Sequence, residues 1–128
     1  AANQSAPTAL GGFAQIAGMD ISVCTAAPYD KNADTYPGST YYGPKSINRV
    51  TITSVGGKDF DPAATYTIAT NDFMASGGDT YYRFINATAN YDLGIAMDEV
   101  VMDYVKTVLG GTITADKYGQ PAGRITVS

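Results

Sequence analysis

Apolar and polar positions along the chain fall into short patterned stretches separated by glycine- and proline-rich breaks. Over 16–23, IAGMDISV alternates imperfectly between apolar and polar residues, which predicts a strand with one interior glycine. Over 47–55, INRVTITSV sets Ile47, Val50, Ile52 and Val55 among Thr and Ser. That β-branched content predicts a second strand, and Gly56-Gly57 supplies a hairpin turn. Asp61-Pro62 opens a further turn, and YTIAT at 66–70 predicts a short strand that runs into Asn71-Asp72-Phe73. At 95–109, IAMDEVVMDYVKTVL, the period changes: Met97, Val101, Tyr104, Val105 and Val108 recur at helical spacing. Asp98 and Glu99 stand early, Lys106 late, and Gly110 marks the stop, as a helix dipole and a glycine terminus require. The tail, GRITVS at 123–128, predicts one final strand. These elements describe an α+β fold, a mixed β-sheet with flanking helices, in a single domain over 1–128.

The long break at 24–46, CTAAPYDKNADTYPGSTYYGPKS, holds three prolines, two glycines and four tyrosines with no period, and predicts a loop. A loop of that length within a small domain is more often functional or inserted than incidental. Residues 1–12, small and polar around Pro7, carry neither period and predict an extended lead-in.

Composition narrows the chemistry. At 128 residues the chain has the size of one domain, able to bury roughly two-thirds of its unfolded surface. Apolar residues make up 45% and charged ones 16%, the latter below the usual quarter. Ten Tyr and no Trp, among many Thr, Ser and Asn, describe a polar, uncharged surface of the kind common on secreted bacterial proteins. An extracellular, cell-wall or periplasmic setting is the expectation. The net charge is −4 and the eight basic residues are scattered, which leaves no footprint for duplex nucleic acid. No apolar run approaches the ~20 residues that span a bilayer, so no membrane insertion by this chain is expected. One cysteine, Cys24, and no histidine exclude an internal disulfide, the usual Cys/His zinc sites and every mechanism built on a histidine base.

Three patterns remain as candidate chemistry. In Gly77-Gly78-Asp79, consecutive glycines permit positive φ or close approach to a ligand, and the acid can accept two hydroxyl hydrogen bonds; the same residues also make an ordinary turn. Phe13, in GGFAQ, and Phe73, in NDF, lie beside glycines rather than within an apolar period. Each is either a core side chain or a stacking surface for a flat ligand, worth ~1 to 3 kcal/mol per base. Asp30-Lys31-Asn32-Ala33-Asp34 is spaced like the first ligands of an EF-hand loop. Thr35 at the sixth position and Tyr41 at the twelfth replace its Gly and Glu, which argues against calcium. Asn86-Ala87-Thr88 matches a glycosylation acceptor, a pattern too short to carry weight.

Together, GGFAQIAGMDISV, RVTITSVGGKDFDPAATYTIATNDFMASGGDTYYRF and GRITVS occur in an order that resembles the C-terminal domain of the 5′-nucleotidase family, which includes UDP-sugar hydrolases and 2′,3′-cyclic nucleotide phosphodiesterases. The resemblance runs from Gly11 to about Val127. Its most specific part is the pairing of GGF-x-Q with NDF-x-A-x-GGD at this separation. The resemblance implies that a separate N-terminal metallophosphoesterase domain of the same protein carries two divalent metal ions and the catalytic His. This chain would then hold neither catalytic residues nor a metal of its own, and would clasp the nucleoside part of a nucleotide. Phe13 and Phe73 would sandwich the base, Asp79 would accept hydrogen bonds from the ribose hydroxyls, and Gly77 and Gly78 would let the loop close on the sugar. A non-catalytic cell-surface binding or structural module with the same fold is the other reading.

Two departures stand out. Thr80 follows Asp79 where the family commonly has Gly, so a turn needing φ > 0 at that position would be strained. The strand-helix segment that precedes the GGF motif in family members is not present in the sequence, and the sheet edges it covers are expected to be open to association.

Overall fold

The strands are β1 (Met19–Val23), β2 (Asp34–Thr35), β3 (Tyr42–Gly43), β4 (Val50–Val55), β5 (Lys58–Asp59) and β6 (Ile125–Val127). In this computed structural model, residues 12–28, 34–35, 42–43 and 47–128 are described. They belong to two compact units, Ala1–Asn86 with Gly123–Ser128, and Ala87–Ala122. The first unit is built on a four-stranded sheet of order β5-β4-β1-β6, in which β4 runs antiparallel to β1 and β5 while β6 runs parallel to β1. The fold is therefore α+β with a mixed sheet, as the residue pattern predicts.

β1 alternates as a half-buried strand should: Ile21 and Val23 are buried, Asp20 is exposed. Opposite them on β4 stand Ile52 and Val50, apolar cross-strand pairs that stabilise by a few tenths to ~1 kcal/mol each. The register slips between Asp20 and Ile21, because Ser54 pairs with Asp20 but Ile52 pairs with Ile21. Thr53 is thus the extra residue of a bulge. Its hydroxyl donates to the Asp20 carbonyl at 3.1 Å, and the Ser54 hydroxyl donates to the Asp20 carboxylate. The bulge explains why the strict alternation of β4 ends at Ser54 and Val55.

The Gly56-Gly57 hairpin is as expected. Both glycines have positive φ (61° and 74°), which the two-residue turn matching strand twist demands. β6 locks onto β1 through Ile21 N–H to the Arg124 carbonyl (2.8 Å) and Ser128 N–H to the Val23 carbonyl (2.9 Å).

Several expectations are corrected. The first strand begins at Met19, after Gly18 at φ 73°, and the second begins at Val50 instead of Ile47. YTIAT is not a strand: 66–70 joins no ladder among the described residues. Tyr66 instead turns back on its own approach, its hydroxyl accepting from Asp61 N–H (2.9 Å) and donating to the Asp61 carbonyl (3.1 Å). Its ring stacks on Phe60 at 5.6 Å. Strand propensity without a neighbouring edge leaves the backbone unpaired, and local side-chain bonds then decide the conformation.

Asn71-Asp72-Phe73 opens a helix, α1 (Asp72–Ala75), where the sequence suggested the end of a strand. Within 24–46, Asp34–Thr35 and Tyr42–Gly43 pair as a small antiparallel ladder. The rest of that predicted loop beyond residue 28, including Asp30 to Ala33 of the EF-hand-like pattern, lies outside the described residues, as does the lead-in before Gly12.

In the second unit, α2 (Met97–Asp103) continues as a wider turn over Tyr104–Val108, with Leu109 N–H reaching the Tyr104 carbonyl. The predicted helix is present, two residues shorter at its start. Gly110 (φ 65°) and Gly111 (φ 81°) end it, the latter donating to the Val105 carbonyl at 2.8 Å, a closure one residue wider than the usual glycine-terminated one, matching the wider turn that precedes it. A short α3 (Ala115–Tyr118) follows, and the Tyr104 and Tyr118 hydroxyls bond at 3.0 Å.

Candidate functional site

The site is assembled from two stretches far apart in sequence. The first, residues 71–86, is held by caps. Asn71 accepts Met74 N–H on its side-chain oxygen at 2.8 Å and so starts α1. The Ser76 hydroxyl donates to the Asp72 carbonyl at 2.7 Å and closes its other end. Gly77 follows in the left-handed region at φ 93°, the position after a helix that glycine occupies without penalty. A single turn over Gly78–Thr80 then leads to a second over Tyr82–Asn86, and Tyr82 is buried at 6% exposure.

Asp79 stands in the left-handed region at φ 49°, ψ 41°. It is the one non-glycine with positive φ among the described residues. The strain that the sequence suggested for Thr80 therefore falls one residue earlier. An Asp tolerates it better than a β-branched residue would, because its short polar side chain is at home in that region.

The second stretch, residues 12–16, lies against this turn. A β-carbon on Gly12 would sit 2.7 Å from the Asp79 β-carbon and 3.2 Å from a carboxylate oxygen, so only glycine fits there. The Tyr81 hydroxyl donates to the Gly12 carbonyl at 2.9 Å and accepts Ala14 N–H at 3.1 Å, bonding both neighbours of Phe13. At the far side of the same turn, a β-carbon on Gly78 would fall 2.6 Å from the Phe73 ring. Gly78 is thus the residue that lets that ring lie over the turn.

Burial raises the Tyr81 hydroxyl above its ordinary pKa, opposed by the Ala14 hydrogen bond and assisted by the nearby Asp79 carboxylate. The phenol stays protonated at neutral pH and remains able to donate.

Of the five candidate residues, Phe73, Gly77, Gly78 and Asp79 share one turn, and Gly12, the neighbour of Phe13, packs against Asp79 on it. Phe73 is 57% exposed, which removes the core reading of its ring, while Phe13 is half-buried. Nearby, the Tyr81 ring packs at a tilt on Phe84, 5.4 Å between centroids. The backbone beside Phe13 meets the turn at Asp79, and the Phe73 ring meets it at Gly78. The exposed Asp79 carboxylate, six residues beyond Phe73, offers hydrogen-bond acceptors on the same turn.

Two residues of the site carry no sequence expectation. Gly12 appears only as part of GGF, and Tyr81 not at all. The usable signal is the adjacent pair Tyr81-Tyr82, of which one ring is buried and the other hydroxyl bonds backbone. Among the described residues, no three His, Cys, Asp or Glu side chains come together. No helix among them is long and apolar enough to cross a membrane.

Residues 2–86 match the family model described as 5′-nucleotidase, C-terminal domain. This chain belongs to that family. The match includes every candidate residue and ends at Asn86, the boundary of the first unit, short of the reach to Val127 that the motifs suggested. No curated protein and no solved structure matches the chain.

Proposed function

We propose that this chain is the nucleoside-recognition part of a metal-dependent 5′-nucleotidase-type phosphoester hydrolase, acting in nucleotide breakdown outside the cytoplasm. The base lies between Phe13 and Phe73, and the ribose hydroxyls donate to Asp79. The phosphoester is cleaved in a separate domain of the same protein that holds two divalent metal ions, so this chain contributes binding and orientation. The single observation that supports the reading best is the convergence on one turn of an exposed aromatic ring, Phe73 over Gly78, and the Gly12 backbone against Asp79. Glycines at both contacts bring the loops closer than side chains would allow.

The test is substrate discrimination by the intact protein. With a nucleoside monophosphate, Phe73→Ala lowers kcat/KM by roughly 5- to 100-fold, the scale of one stacked base. With p-nitrophenyl phosphate, which has neither base nor ribose, the same variant matches wild type. Equal effects on both substrates, or none on either, contradict the proposal.

A further inference from the structure

The backbone on either side of Phe13 is held by another residue's side chain. A ring that stacks on a flat ligand must keep its plane, and Phe13 sits in a stretch without regular structure, where backbone freedom is costly to remove on binding. Three bonds remove much of it beforehand. The Tyr81 hydroxyl takes the Gly12 carbonyl (2.9 Å) and the Ala14 N–H (3.1 Å), one on either side of Phe13. Two residues on, the Ile16 carbonyl accepts Arg124 Nε–H at 2.6 Å, which fastens the stretch to the β6 end of the sheet.

Tyr81 is itself fixed. Its ring lies 5.4 Å from that of Phe84, and the next residue, Tyr82, is buried. The charged group facing its hydroxyl is Asp79, the proposed ribose acceptor. One side chain thus connects the stretch that bears Phe13 with the turn that bears Asp79.

We propose that Tyr81 is a positioning residue for nucleoside binding: its hydroxyl sets the Phe13 ring before the base arrives. This rests on the nucleoside reading above. Tyr81 touches no base or sugar in this account; it acts through Gly12 and Ala14.

Tyr81→Phe tests it, because the variant keeps the ring beside Phe84 and removes only the hydroxyl. In the intact protein, amide hydrogen exchange and adenosine titration are measured together. The expected result is an Ala14 amide that exchanges about tenfold faster, with Ile21 and Val23 amides unchanged, and an adenosine affinity roughly tenfold weaker, the scale of one hydrogen bond. An adenosine affinity equal to wild type overturns the proposal, as does an Ala14 amide as protected as before. Slower or faster exchange throughout β1 also overturns it, since the hydroxyl would then support the fold at large. A wild-type protein that binds no adenosine overturns the nucleoside reading and this role with it, and is recognised because it needs no variant to appear.

Discussion

Gly12 and Asp79, far apart in the chain, are packed so tightly that a β-carbon on Gly12 would lie 2.7 Å from that of Asp79. The contact is with the root of the Asp79 side chain, which cannot swing aside without moving its backbone. Gly12→Ala is therefore expected to cost about 1 to 3 kcal/mol as an overpacking change. It should also displace the carboxylate and weaken nucleoside binding. Thermal melts and adenosine titration of the same variant check both.

Asp79 at φ 49° predicts opposite effects on stability from two substitutions that share one effect on binding. Asp79→Gly relieves the left-handed strain and leaves stability unchanged or higher by up to about 1 kcal/mol, whereas Asp79→Ala keeps a β-carbon there and is less stable than the Gly variant. Both remove the acceptor, so both lose nucleoside affinity. Melting temperatures rank them, and an Ala variant more stable than the Gly variant contradicts the strain.

The atoms nearest a β-carbon on Gly78 belong to the far end of a side chain, the exposed Phe73 ring. Gly78→Ala should push that ring aside at little cost to the fold, below about 1 kcal/mol. Stacking suffers instead. A variant that melts like wild type but binds adenosine at least fivefold more weakly is the expected outcome.

The Tyr81 hydroxyl predicts an alkaline limit. Its folded pKa is raised, first by burial and then by Asp79, against the Ala14 bond. A raised folded value means that its stabilisation is complete below about pH 10, where the unfolded phenol is still protonated. It is lost as pH climbs from there through the folded value. Wild type should therefore melt above Tyr81→Phe at pH 8 by the worth of a hydrogen bond, about 0.5 to 1.5 kcal/mol. The gap should close as pH passes 10. A gap that holds or widens contradicts the donor role.

Much of this was legible beforehand where a local rule governs the chain. Ile21, Val23, Ile52 and Val50 alternate, and they form the central strand pair. Gly56-Gly57 names its own hairpin, and the motif pair GGF and NDF-x-A-x-GGD identifies the family confirmed over 2–86. What escaped depends on contacts between distant residues. YTIAT has the composition of a strand but joins no ladder among the described residues. Thr80 was the residue expected to strain, yet the positive φ belongs to Asp79, because the turn after Gly77 places its bend one residue earlier. Tyr81 belongs to no motif, and its role exists only through Gly12 and Ala14.

The most direct test of the central claim is isothermal titration of the intact protein with adenosine, repeated for Phe73→Ala and Asp79→Ala. The account predicts heat with wild type that is lost or at least tenfold weakened in each variant, while their melting curves stay cooperative. Adenosine heat that is the same in all three proteins would contradict it.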